Sequence, residues 1–192
     1  MAPRTAQLLV GRLDVADAHL TEALTIYRKV LTAGHDDLIL PLNSLAMIRL
    51  AHSDAVIAEP LLDEAIEIAR SRKHWMLNQL LVNRAEVLML NGHLDQARQA
   101  LDEARGAMQT LYSDKLSASE AWRAAVFDVS LARVEALSGN VVRARSLLAA
   151  AMPVLEARFG AAGFYTTRAR ERLERLDDRA GGTAPYPPRA SR

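Results

Sequence analysis

The sequence predicts an all-α protein of antiparallel helix pairs stacked in order, about three and a half repeats followed by a C-terminal capping helix. Three observations lead there. Alanine, leucine, arginine and glutamate dominate, and only 5% of the 192 residues are aromatic; these are strong helix formers. No stretch alternates apolar and polar residues for long, as a half-buried strand would. Four segments also align without gaps: GRLDVADAHLTEA (11–23), SDAVIAEPLLDEA (53–65), GHLDQARQALDEA (92–104) and GNVVRARSLLAAA (139–151).

Each segment opens on Gly or Ser, which ends one helix and allows a tight turn. Five positions on stands alanine (Ala16, Ala58, Ala97, Ala144), then leucine (Leu20, Leu62, Leu101, Leu148), then alanine again (Ala23, Ala65, Ala104, Ala151). This stripe is one face of the second helix of each pair. Small residues let two backbones approach, and leucine fills the space between them.

The elements follow in order. In the first repeat only Thr5 to Val10 precedes the turn expected at Gly11, and Arg4 holds a slot that takes a small residue. The helix carrying Leu13, Leu20 and Leu24 then lacks half its cover. The expectation is a fragment, a misplaced start, or docking there against another domain or another copy. The second repeat opens with LNSLAMIRLA (42–51), entered through His35-Asp36-Asp37 with the acids as N-caps. The third opens with NQLLVNRAEVLMLN (78–91), and the fourth with SASEAWRAAVFDVSLARVEALS (117–138), where Ser117 and Glu120 form a capping box. Ala46, Ala85 and Ala132 lie seven residues before the turns, where the Ala-Leu-Ala helix makes contact. TTRARERLERLDDR (166–179) matches one more first helix, but Glu174 fills its small-residue slot. A glutamate there suits a helix facing water, hence a cap. The repeat domain is therefore expected over 1–178, and RAGGTAPYPPRASR (179–192) as a disordered tail.

Prolines punctuate this scheme. Pro41 and Pro60 fall near helix starts, where a missing N–H forfeits little. Were the helix to begin as early as Ala55, Pro60 would take away the partner of the Val56 carbonyl and loosen the first turn. Pro153 lies well inside its helix and predicts a kink of more than ~20° near Ala149 to Pro153.

Composition excludes several functions. The formal charge of +1 gives no electrostatic reason to propose nucleic acid. There is no cysteine, hence no disulfide, thiolate metal site or cysteine nucleophile. The N-terminus lacks the apolar core of a signal peptide, and no apolar run nears the ~18 residues of a membrane span. A cytoplasmic protein without membrane contact is the expectation. His19, His35, His52, His74 and His93 show neither i, i+4 pairing nor an H-E-x-x-H context. No phosphate-cradling glycine motif or nucleophile elbow occurs. Neither catalysis, metal nor cofactor is expected. Trp75 and Trp122 each start a first helix; they could anchor a peptide, but core packing is the favoured role in so aromatic-poor a chain.

Residues 31–68, LTAGHDDLILPLNSLAMIRLAHSDAVIAEPLLDEAIEI, carry a histidine-acid loop, L-N-x-L-A, a small turn and A-E-P-L. This stretch closely resembles the kinesin-light-chain subtype of tetratricopeptide (TPR) repeats, as also found in bacterial signalling proteins. The other repeats carry the generic TPR skeleton, over about residues 8 to 176 in all. The resemblance implies a right-handed α-solenoid whose first helices line a concave groove that binds a protein or peptide. Exposed groove positions are then Asn43, Met47 and Leu50; Gln79, Val82, Glu86 and Met89; Arg123, Val126, Val129 and Arg133. The resemblance further implies that Asn43 can hydrogen-bond an extended peptide backbone, with Asn83 in a weaker match; an Asn43 that only orders its loop is equally open. Met47 and Met89 suit an adaptable apolar groove or core filling. The lysine-asparagine clamp of chaperone-binding TPRs is absent.

Overall fold

The computed structural model describes residues 4–112 and 121–180, with side chains described over 13–110 and 121–176. Among them are eight α-helices and no strand: α1 Arg4–Val30, α2 Ile39–Ala51, α3 Ala55–Ser71, α4 Leu77–Asn91, α5 Leu94–Tyr112, α6 Ala121–Leu137, α7 Val141–Phe159 and α8 Phe164–Ala180. The fold is all-α, as the composition and the four aligned segments predict. The chain forms two compact units, 1–114 and 115–192.

In the first unit each helix packs on the next, and α2 also touches α4. The turns share one device. Asp54, His74, His93 and Asn140 each donate an amide to the carbonyl five residues back, at 2.8–2.9 Å. The residue before each, Ser53, Lys73, Gly92 or Gly139, has positive φ. This left-handed stop satisfies the last helical carbonyls and reverses the chain. Three of these stops coincide with the Gly or Ser that opens an aligned segment.

The Ala-Leu-Ala stripe does what its spacing predicts. Ala58, Leu62 and Ala65 of α3 are fully buried, as are Ala97 and Leu101 of α5 and the partner residues Ala46 and Ala85. The same stripe on α1 is different: Ala16, Leu20 and Ala23 are only half-buried. Among the described residues no helix covers this face as α2 covers that of α3.

Two corrections fall at this end. The expected turn at Gly11 does not form, and α1 is a single helix of 27 residues. Glycine inside a helix costs about 1 kcal/mol relative to alanine. That is a small cost against the helical hydrogen bonds a break in α1 would forfeit. The slot at Arg4 lies outside the described side chains. Nor do Asp36 and Asp37 cap α2. His35 accepts the Asp37 amide on Nδ1 at 3.2 Å and opens a 3-10 turn, Asp36–Leu38, that leads into the helix.

Pro41 sits in the first turn of α2, as expected. Pro60 is the sixth residue of α3, which starts at Ala55. The carbonyl of Val56 therefore lacks its helical donor. Val56 is exposed, so water can take that place. Pro153 lies in the interior of α7 and deprives Ala149 of its partner in the same way.

One ion pair recurs with the repeat. Arg28 of α1 bonds Glu64 of α3, and Arg70 of α3 donates Nε and Nη2 to Glu103 of α5 at 3.0 and 2.6 Å. Glu64 and Glu103 are equivalent positions in the aligned segments, as are Arg28 and Arg70. The next equivalents are Gln109 and Ala150, so the sequence supplies no third rung. Both pairs are solvent-exposed. Arg70→Ala is expected to cost about 0.2–1 kcal/mol, and urea denaturation should show the difference shrinking at high salt.

In the second unit α7 packs on α6 and on α8, and α6 touches α8. Its core joins Val126, Val129 and Ala132 of α6 to Leu148 and Leu155 of α7 and Ala169 and Leu176 of α8. Trp122 meets the Phe159 ring edge-on, centroids 5.5 Å apart, which is the core role favoured for it. Gly163 makes the α7–α8 turn possible, since a Cβ there would lie 2.5 Å from the Phe159 Cβ. Glu135 is fully buried yet structural: it accepts from Asn140 Nδ2 at 2.7 Å and tightens the α6–α7 turn. Ser117, Glu120 and the tail from 181 onward lie outside the described residues.

Candidate functional site

The sequence-predicted site residues fall into two sets, one in each unit. In the first unit α2 and α4 bring amide side chains together. Gln79 Nε2 donates to Asn83 Oδ1 at 3.0 Å, and Asn83 Nδ2 donates to Asn43 Oδ1 at 2.8 Å. Asn83, 9% exposed, uses both ends of its amide. The outer groups are the Asn43 amino group, with two donors, and the Gln79 carbonyl, an acceptor. Neither has a partner among the described residues. An amide chain with a donor at one end and an acceptor at the other complements a peptide backbone, which carries both.

Apolar side chains flank this chain. Leu40 and Met47 lie one turn before and one turn after Asn43 on the same face of α2, and they are 62% and 36% exposed. Leu40 was not among the residues the sequence pointed to. Its spacing of three from Asn43 was the available signal, but beside Pro41 it read as the helix entry.

The remaining positions are less open. Glu86 is 5% exposed and so offers a ligand little surface. Met89, Val126 and Val129, expected to face the groove, are buried core residues. The reason is geometric: a helix inside an array has neighbours on several sides, and periodicity does not say which of its faces is left uncovered. Trp75, expected to pack, is instead 60% exposed beside His74, ring centroids 5.5 Å apart. It precedes α4, where the chain is still leaving the turn. In the second unit Arg123 and Arg133 are half-buried on α6, and the Arg123 guanidinium lies 4.6 Å from the Trp122 ring centroid. Among the described residues no group of three or more His, Asp or Glu could hold a metal ion, and no helix is long and apolar enough to cross a membrane.

Solved structures share this fold. A kinesin-light-chain-like protein of Podosopora anserina, with nearly identical TPR-like repeats, matches with a TM-score of 0.65 at 19% identity, over 89% of this chain and 80% of that one. A variant of that protein matches with 0.66 at 20% identity. The fold is TPR-like. BtubC (BKLC) from P. vanneervenii gives 0.61 at 18% identity, over 95% of this chain and 80% of its own. The sequence matches no protein-family model and no curated protein. In the TPR-like frame α2, α4, α6 and α8 are the first helices of successive pairs. The Gln79–Asn83–Asn43 chain thus joins two successive first helices.

Proposed function

We propose that this chain is a non-enzymatic scaffold that binds an extended peptide segment of a partner protein on the α2–α4 face. The observation that carries the reading is the amide chain with its outer donor and acceptor, set between exposed Leu40 and Met47. The amides would hold the backbone of the peptide, and the two apolar residues would take its side chains. Methionine suits this task because its unbranched side chain adapts to varied shapes. In this reading residues 1–178 are the repeat domain, Arg123 and Arg133 are ligand positions of the second unit taken by itself, and the setting is cytoplasmic.

The test is a peptide library displayed on phage and selected on the full chain. Selected peptides should bind Asn43→Ala about tenfold more weakly by calorimetry, which is roughly 1.4 kcal/mol. Met47→Glu should weaken them further. Equal affinity for wild type and both variants would overturn the reading.

A second reading has its own observation. The half-exposed Ala16-Leu20-Ala23 stripe of α1 is a face that α2 covers on α3. This favours a regulatory region of a larger bacterial signalling protein, docked there against a kinase or helix-turn-helix domain, or against another copy. The reading frame upstream of Met1 decides it.

A further inference from the structure

The ion pair that recurs with the repeat stands half-made on α1. An arginine of one repeat meets a glutamate of the next, Arg28 with Glu64 and Arg70 with Glu103. Glu22 is the equivalent glutamate of α1. It is exposed, and no described arginine or lysine pairs with it. Lys29 is likewise exposed and unpaired among the described residues. The two are about two helical turns apart and so share one edge of α1.

Beside that edge runs an apolar strip. Ala23, Ile26 and Val30 follow the i, i+3, i+7 spacing of one helix face, and Ile26 and Val30 are 50% and 70% exposed. Another side of α1 is the one that packs: Leu24 is buried, and Asp17 accepts from Arg49 of α2 at 2.9 Å. On α3 the slot of Ile26 is held by Ile68, which is 5% exposed and lines a pocket with Leu31 and Leu38 from the segment ahead of α2. The same residue in the same slot is covered on α3 and open on α1.

We propose that α1 pairs antiparallel with α1 of a second copy of this chain, about a two-fold axis beside Ile26. In such a contact every pairing occurs twice. Glu22 faces Lys29 of the second copy, Lys29 faces its Glu22, and Ile26 meets its counterpart on the axis. Ala23 is small enough to admit Val30 of the second copy. A parallel pair would set like charges against each other. End-to-end stacking of copies would not complete the open pair either, because the arginine slot holds Gln109 on α5 and Glu156 on α7. The cation that the chain itself can offer Glu22 is Lys29. The proposal takes up the docking reading of the α1 face and names its occupant. The contact is short, at the low end of interface sizes, so a Kd of about 100 µM or tighter is expected.

Sedimentation equilibrium of the full chain tests it and should show a monomer–dimer equilibrium. Glu22→Lys should weaken dimerisation about tenfold or more, and Glu22→Lys/Lys29→Glu should restore it to within about threefold of wild type. That rescue separates a lost contact from a lost fold. The chain has no cysteine, so Ile26→Cys under mild oxidation should give a disulfide-linked dimer. Val56→Cys, at an exposed position of α3, should give far less. A wild type still monomeric at about 1 mM, a dimer indifferent to Glu22→Lys, no rescue by the double variant, or equal cross-linking of the two cysteine variants overturns the proposal. A monomeric wild type would leave the α1 face to a separate domain, and so overturn the second copy alone. Binding of library peptides and its dependence on Asn43 are read independently.

Discussion

Replacing Leu62 with alanine is expected to lower stability by about 2–5 kcal/mol, measured by urea unfolding. Leu62 is fully buried on α3, a helix that packs on both α2 and α4. The alanines on either side, Ala58 and Ala65, let those backbones come close. Little can therefore shift to fill the void left by the truncation, and cavity energy adds to the lost burial. The repeat makes this prediction sharper. Leu101 and Leu148 hold the same slot and are equally buried, so each should cost a similar amount. Leu20 holds it on α1 but is half-exposed, so Leu20→Ala should cost clearly less. Four equal losses would mean that α1 is covered after all.

Pro153→Ala is expected to act in the opposite direction and raise stability by about 1–3 kcal/mol. The helix α7 continues through this proline, so the carbonyl of Ala149 goes without its donor. Pro153 is exposed, and its ring has little packing to lose. Alanine would restore the bond and the better helix former. Pro60→Ala should gain less, because the affected Val56 carbonyl lies in the first turn of α3, where the residue is exposed and water can take the donor's place. Thermal and urea unfolding measure both. A loss of stability in Pro153→Ala would mean that the proline ring supplies packing or backbone geometry that alanine cannot replace.

The parts legible in the sequence are those that repeat. A small residue, a leucine and a second small residue at fixed offsets from a turn can mean only one helix face. Their burial on α3, α5 and α7 follows from that. The fate of Gly11 was not legible in this way. The same glycine signal that stops α4 at Gly92 and α6 at Gly139 is read through in α1, because an isolated glycine inside a helix costs only about 1 kcal/mol. Side-chain exposure was read less well than helix placement. Met47 and Met89 looked alike in spacing, yet one is on the surface and the other in the core. The link between Asn43 and Asn83 was missed for a register reason. Val82, not Asn83, aligns with Asn43, and only the angle between α2 and α4 brings the two amides within 2.8 Å. The rungs between Arg28 and Glu64 and between Arg70 and Glu103 join helices two apart in sequence, which a pass along single helices does not reveal.

The proposed peptide site is the α2–α4 face, with Asn43 and its amide chain. Amide and side-chain NMR of the full chain with a library-selected peptide tests it most directly. Shifts should concentrate at Leu40, Asn43, Met47 and Gln79, with contacts from the peptide to the side chains of Leu40 and Met47. Saturable binding that leaves these four unmoved, with shifts confined to α3 and α5, would contradict it.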